Sequence, residues 1–165
     1  MTKLEYIKIE TQKDIDDLYH LADIVWHEYF PCILKKEQID YMVEMFFSKE
    51  AINKSMGDGY MFFFVKEKGE NIGFISVHPE KEKLFLSKLY LTKENRGKGY
   101  ASLMLNFVKE IGKEKGLSAV YLTVNKNNTH TIEVYKHHNF AVISSEQFDI
   151  GNGYIMDDYV MECAL

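Results

Sequence analysis

Leu89-Tyr90-Leu91-Thr92-Lys93-Glu94-Asn95-Arg96-Gly97-Lys98-Gly99-Tyr100-Ala101-Ser102 places a strand-like run, a short polar loop and the start of an amphipathic helix in direct succession. A helix start offers backbone N–H groups without intrahelical partners and a partial positive charge. Gly97 and Gly99 remove the side chains that would keep a phosphate away from them, so the stretch reads as an anion cradle. The two common nucleotide fingerprints do not fit: there is no third glycine at dinucleotide-fold spacing, and no Gly-Lys-Ser/Thr ending. Taken alone, two glycines in a strand-to-helix turn are also open to a purely structural reading.

Working outward, the period after the loop is helical. Ala101, Leu105, Val108 and Ile111 form one stripe over Gly99–Lys115, and Gly116 stands where a C-terminal glycine cap belongs. A strand over Ala119–Val124, a short helix over Thr129–His138 and strands over Val142–Phe148 and Tyr154–Met161 follow, the last two joined at Gly151-Asn152-Gly153. Before the loop, Tyr60–Lys66 and Ile72–His78 are aromatic and β-branched runs joined by Lys68-Gly69-Glu70-Asn71, and Leu84–Leu91 is a third run after Pro79. Leu4–Glu10 supplies a further strand.

Thr11 with Asp14 three residues on signals a capped helix over 12–29, ended by Pro31. Ile39, Met42, Val43 and Phe46 mark a second helix, and Ser48 a cap for a third over 49–56. Strand Leu84–Leu91, helix, strand Ala119–Val124 is a crossover unit whose strands should be parallel. The fold class is therefore α/β, a mixed and mostly antiparallel sheet with a central parallel strand pair and flanking helices.

The chain has 165 residues, 46% of them hydrophobic and 14% aromatic, which suits one domain over 1–165. No linker-like stretch, internal repeat or low-complexity tract divides it. The N-terminal segment lacks a secretory apolar run and no 18-residue uncharged apolar run occurs, so no membrane association is expected and the location expected is cytoplasmic. A net charge of -5 and a pI near 5.7 argue against nucleic-acid binding and favour cationic partners. Cys32 and Cys163 sit in unrelated contexts without ligand spacing, and adjacent His137 and His138 point about 100° apart on a helix, so no metal site is expected.

Arg96-Gly97-Lys98-Gly99-Tyr100-Ala101 resembles the R/Q-x-x-G-x-G/A signature of the GNAT N-acetyltransferase superfamily. Asn128-Thr129-His130-Thr131-Ile132-Glu133-Val134-Tyr135-Lys136-His137-His138-Asn139-Phe140 is similar to that family's N-x-x-A-x-x-x-Y-x-x-x-G-F segment. Thr131 stands where alanine is usual and Asn139 where glycine is usual, and asparagine tolerates the left-handed conformation a helix end asks for. The resemblance implies an enzyme that moves an acetyl group from acetyl-CoA to an amine, without a covalent enzyme intermediate.

It also implies roles. The backbone of Leu89, Tyr90 and Leu91 would run alongside the pantetheine arm, since an open strand edge accepts an added strand. Amides of the loop and of Tyr100, Ala101 and Ser102 would hold the pyrophosphate, with Arg96 and Lys98 as adjacent charges or as ordinary solvated ones. Asn128 would meet the pantetheine amides, or cap the helix that follows. Tyr135 would protonate the departing thiolate, its phenol being protonated at neutral pH; a core tyrosine is the competing reading.

For the acceptor, relatives use the first two helices as a pocket wall, which draws notice to Trp26, His27, Glu28 and Tyr29, whose rings and carboxylate suit an alkylammonium group and equally suit core packing. Tyr154–Met161, with Asp157 and Asp158, is similar to the final strands of spermidine/spermine-type acetyltransferases, and the acceptor expected is a small amine such as a polyamine. A protein or peptide N-acetyltransferase, and a catalytically weak acetyl-CoA sensor or assembly module, are the alternatives. Ser87 stands where relatives often carry a basic glutamate, which leaves the base among Glu28, His27, His78 and a water chain. The resemblance also makes a homodimer a candidate assembly.

Overall fold

The structure is a computed structural model that describes residues 3–165, so the first two residues of the expected 1–165 domain lie outside the described residues. In chain order it comprises β1 (Glu5–Lys8), α1 (Gln12–Tyr29), α2 (Lys36–Phe47), α3 (Lys49–Gly57), β2 (Met61–Glu67), β3 (Glu70–Pro79), β4 (Lys83–Leu91), a 3-10 turn (Lys93–Asn95), α4 (Tyr100–Glu114), β5 (Ala119–Asn125), α5 (Thr129–His137), β6 (Ala141–Gly151) and β7 (Tyr154–Ala164). The strands form one seven-stranded sheet in the order β1-β2-β3-β4-β5-β7-β6. The described pairings are antiparallel apart from β4 with β5, the parallel pair expected of the crossover unit. Two compact units result: one runs to His78 and includes Lys88–Met104, the other comprises Pro79–Ser87 and Leu105–Leu165.

In the first unit, α1 begins with a capping box. The Thr11 hydroxyl accepts from the Asp14 N–H at 3.1 Å, and the Asp14 carboxylate accepts from the Glu10 and Thr11 N–H groups, each at 3.2 Å. Those two backbone bonds hold the Asp14 carboxyl below its ordinary value. Ile15, Leu18, Ala22, Val25 and Trp26 make the buried face of α1. On α2 the buried face is Ile39, Met42, Val43 and Phe47; Phe46, expected on the stripe, is half-buried, because the helical period carries Phe47 inward after Val43. The Ser48 hydroxyl accepts from the Ala51 N–H and starts α3. The β2–β3 turn is tighter than the four residues expected: Glu67 pairs with Glu70, and Lys68 and Gly69 turn the chain at φ 51° and 81°. At Gly73 a Cβ would fall 2.3 Å from the carbonyl oxygen of Tyr90, so glycine here permits close approach of β3 to β4.

In the second unit, the parallel ladder pairs Lys83, Leu84 and Phe85 with Ala119, Val120 and Tyr121. β7 lies between β5 and β6 and pairs with both along its length. Both hairpin strands are longer than expected, and β6 is exposed at every residue but Ile150. Leu84, Leu105, Val108, Val120, Leu122 and Met161 are among its fully buried side chains. No described helix is long and apolar enough to cross a membrane.

Candidate active site

The loop after β4 is built by short-range bonds. The Thr92 N–H donates to the Ile72 carbonyl at 2.9 Å, which ends β4 against β3. Asn95, buried, donates from its side chain to the Thr92 hydroxyl at 2.7 Å and from its backbone to the Thr92 carbonyl at 3.0 Å. Arg96 then folds back, its Nε donating to the Leu91 carbonyl at 3.1 Å and its guanidinium carbon lying 4.7 Å from the Tyr29 ring centroid. Its Nη2 is buried without a hydrogen-bond partner among the described residues.

Gly97 and Gly99 follow at φ 75° and 81°, and a Cβ at either would meet nothing within 4 Å. Space is open there, so it is the left-handed backbone that asks for glycine. Gly97, Lys98 and Gly99 are exposed, and α4 starts immediately with Tyr100, whose buried hydroxyl donates to the Glu67 carboxylate. Ala101 and Ser102 occupy the first turn, half-buried. The segment thus turns a helix N-terminus and two side-chain-free residues outward beside an arginine with an uncommitted N–H, a set of donors and positive charge that fits a pyrophosphate.

The end of α1 frames the same loop. Glu28 accepts from the Lys93 N–H at 3.1 Å, and Tyr29 packs on Arg96 and, at 6.0 Å between ring centroids, on Tyr90. Trp26 is buried among Phe30, Phe46, Phe47 and Tyr90, with centroid separations of 4.6–6.0 Å, and its indole N–H has no partner among the described residues. His27 turns to α2 instead: its Nδ1 lies 2.8 Å from the Asp23 carbonyl and its Nε2 2.5 Å from the Asp40 carboxylate. Burial pushes the His27 imidazole down, but the Asp23 carbonyl and the two carboxylates outweigh it and the net direction is upward. Of the four α1 candidates, Trp26, Glu28 and Tyr29 are therefore gathered with Tyr90 and the loop, while His27 is not.

Sequence reasoning did not single out Lys88. Alternation along β4 sets it on the face of Tyr90, and its Nζ lies 5.6, 5.5 and 5.8 Å from the ring centroids of Phe46, Phe47 and Phe62. The available signal was positional: Leu84, Leu86, Lys88 and Tyr90 share one strand face, and a lysine among them is turned toward apolar neighbours. Leu89 is half-buried and Leu91 buried.

In the second unit, Tyr135 is buried on α5 with its ring 5.6 Å from Phe140. Asn128 is buried immediately before α5 and makes no side-chain capping bond to it, although its carbonyl accepts from the Ile132 N–H at 3.0 Å. The acidic pair of β7 splits. Asp157 pairs with Lys126 at 2.9 Å, while Asp158 is buried, its Oδ1 without a hydrogen-bond partner among the described residues, and its carboxyl is pushed up to about 6 by burial first and by Asp157 next. Cys32 is exposed and Cys163 buried, both as free thiols.

Comparison with known proteins places this geometry. GCN5-related N-acetyltransferase 6, chloroplastic, from Arabidopsis thaliana is 30% identical over 88 residues, covering 52% of this chain; the match spans only 31% of that protein. The PaiA N-acetyltransferase from Thermoplasma acidophilum, solved in complex with coenzyme A, superposes with a TM-score of 0.80 at 24% identity, over 99% of each chain. A GCN5-related N-acetyltransferase from Rhodopseudomonas palustris superposes with a TM-score of 0.80 at 12% identity, over 100% of this chain and 96% of that one. At such identities the solved structures speak for the fold alone. The sequence model of the Acetyltransferase (GNAT) family matches residues 17–140, from within α1 to the residue before β6, and by that match the chain belongs to the GNAT acetyltransferase family.

Proposed function

We propose that the chain works as one catalytic domain that transfers an acetyl group from acetyl-CoA to a primary amine by direct attack in a ternary complex. The observation that carries this reading is the Arg96–Ala101 loop, with two left-handed glycines in open space directly before α4, in a chain of this family. When bound, acetyl-CoA supplies a thioester with an electrophilic carbonyl carbon and a sulfur able to leave.

The residues divide the work. Backbone N–H groups of Gly97 to Ser102 hold the pyrophosphate, and Arg96 and Lys98 add positive charge beside it. Backbone groups of Leu89, Tyr90 and Leu91 pair with the pantetheine arm as a strand edge would, and Asn128 offers its side-chain amide to the same arm. Trp26, Glu28 and Tyr29 wall the acceptor. Tyr135 donates its phenolic proton to the departing sulfur, since a phenol near pKa 10 keeps its proton at neutral pH. The acceptor we favour is a small cationic amine of the polyamine kind, in keeping with the net charge of -5. The family resemblance supports the Tyr135 and Asn128 roles, and burial of both fits side chains held in one orientation.

The test is acetyl-CoA-dependent release of coenzyme A, followed by mass spectrometry across polyamines, aminoglycosides, amino acids and peptides, with Tyr135→Phe alongside. Mass detection avoids the two free thiols that would confound a thiol dye. Turnover on one amine class, falling about 100-fold in Tyr135→Phe, is the expected outcome for loss of a positioned acid. Peptides turning over far faster than spermidine would replace the small-amine reading, and coenzyme binding with no transfer to any amine would replace the catalytic one with a sensor.

A further inference from the structure

An alkylammonium has no lone pair, so the acceptor must lose a proton before it attacks. The groups that the sequence offered for that task are occupied. Glu28 accepts from the Lys93 N–H, and His27 is held between Asp23 and Asp40. His78 stacks on Tyr60 at 4.2 Å and bonds the Asp58 carbonyl at 3.0 Å, and Ser87 is no base. One basic nitrogen stands on β4 directly before Leu89–Leu91, on the strand face that Tyr90 shares and that Trp26, Tyr29 and Phe30 cover: the Nζ of Lys88.

We propose that the Lys88 amine is the general base that takes the proton from the acceptor ammonium, held for that role between the rings of Phe46, Phe47 and Phe62. The proposal rests on the acetyl-transfer reading above. Three rings within 5.5–5.8 Å favour the charged form, while withdrawal from water favours the neutral one. Withdrawal wins: burial pushes the Lys88 amine down to about 8. A group poised there is neutral often enough near pH 7–8 to accept a proton and basic enough to take it. An ordinary surface lysine, near 10.4, is not.

The three rings around the ammonium come from α2 and β2. From α2 the facing groups are Phe46 and Phe47; Glu44 on that helix is bonded to the Tyr19 hydroxyl at 3.0 Å, and Lys36, Glu37 and Asp40 lie more than a turn earlier. From β2 it is Phe62, with Lys66 and Glu67 at the strand's far end, Glu67 accepting from Tyr100. β3 places buried Ser76 opposite Phe62.

Protons and electrons balance. The acceptor R–NH3+ gives one proton to neutral Lys88, and the freed lone pair forms the C–N bond as the C–S bond breaks and its electron pair leaves on sulfur. Tyr135 protonates the sulfur and recovers its proton, through water, from the second hydrogen lost by the nitrogen. The products are the amide, the coenzyme A thiol and one proton on Lys88, which solvent removes.

Two measurements test this. The first is a carbon-13 lysine NMR titration of the whole wild-type protein, with the Lys88 resonance identified by its loss in Lys88→Arg. A lysine resonance titrating near 8 is expected, and every lysine titrating above about 10 overturns the proposal whether or not an acceptor has been found. The second is the pH dependence of kcat at saturating acetyl-CoA and amine for wild type, Lys88→Met and Lys88→Arg. Wild-type kcat should rise and level near pH 8. Both variants should lose about 100-fold at pH 7.5, keep their acetyl-CoA affinity, and continue to rise with pH beyond 9. A Lys88→Met enzyme with wild-type kcat and the same acid limb assigns the proton to water and overturns the proposal. A wild type that binds acetyl-CoA and acetylates nothing, with the resonance near 8 present, counts against the acetyl-transfer reading and not against the assigned basicity.

Discussion

The guanidinium of Arg96 stacks on the ring of Tyr29 at 4.7 Å, while the residue before that tyrosine, Glu28, accepts the backbone N–H of Lys93 at 3.1 Å. The last turn of α1 thereby grips both ends of the short turn that leads into the glycine loop. A helix whose outer residues read as acceptor-pocket wall also sets the backbone from which the pyrophosphate would be bound.

This grip is measurable. Arg96→Met and Tyr29→Leu, made singly and together, should show a coupling free energy of about 0.5–2 kcal/mol in urea unfolding, the range for a guanidinium over a partly desolvated ring. Arg96→Met should weaken coenzyme A binding more than Tyr29→Leu does, because only the arginine carries both the stack and the Leu91 carbonyl bond. Additive single effects would mean that the two side chains touch without supporting each other.

Gly73 gives a sharper test of β4. A Cβ there would meet the Tyr90 carbonyl oxygen at 2.3 Å, the Leu91 Cδ2 at 3.1 Å and the Leu91 Cα at 3.3 Å, mostly backbone atoms that yield only if the strand moves. Gly73→Ala should cost about 1–3 kcal/mol in unfolding free energy and raise the coenzyme A Kd at the same time, since the displaced atoms belong to the proposed pantetheine edge. Lost stability with unchanged Kd would remove Leu89–Leu91 from the binding site.

Local signals made much of this fold legible in the sequence. The Thr11–Asp14 box and Pro31 mark the limits of α1 because capping and a missing N–H act within one turn. The β6–β7 hairpin is legible over Val142–Phe148 and Tyr154–Met161 but runs on to Gly151 and Ala164, because a sheet-edge strand such as β6, exposed along its length, needs no apolar alternation to pair. Lys88 escaped notice for a different reason. In Leu-Ser-Lys-Leu-Tyr alternation puts it on the face of Leu86 and Tyr90, but that Phe46 and Phe47 of α2 close over its amine is a tertiary fact. The glycine loop and the helix start behind it are set locally and show in the sequence; the surroundings of a single amine are tertiary and do not.

Asp158 should impose a pH dependence on stability. Its carboxyl is raised from 3.8 to about 6 in the folded chain, by burial first, then by Asp157, against the opposing Lys126. Between about pH 4 and 6 the native state therefore holds a proton that the unfolded state has lost, so unfolding free energy falls as pH rises through that window and stays lower above it. Asp158→Asn should flatten this slope and raise stability at pH 7, with a ceiling near 3 kcal/mol for about two pH units at about 1.4 kcal/mol each. Urea midpoints at pH 4.5 and 7.5 check it; a wild-type slope that survives in Asp158→Asn would place the titration elsewhere.

Asn139 holds φ at 72° after α5, its N–H donating to the Lys136 carbonyl at 3.1 Å, and the next N–H, of Phe140, donating to the Tyr135 carbonyl at 3.0 Å. Asparagine enters the left-handed region more readily than other non-glycine residues, yet glycine enters it without the Cβ penalty. Asn139→Gly should therefore raise stability by up to about 1 kcal/mol, and Asn139→Val should lower it by about 1–2 kcal/mol, because a β-branched side chain resists positive φ. The bond from Phe140 ties this turn to Tyr135, whose ring packs on Phe140 at 5.6 Å. Unwinding the turn moves the proposed acid, so Asn139→Val should also reduce kcat, and the Asn139→Gly enzyme should keep it. Equal kcat in all three proteins, with the stability order as stated, would show that the turn holds the fold and that the placement of Tyr135 does not govern the rate.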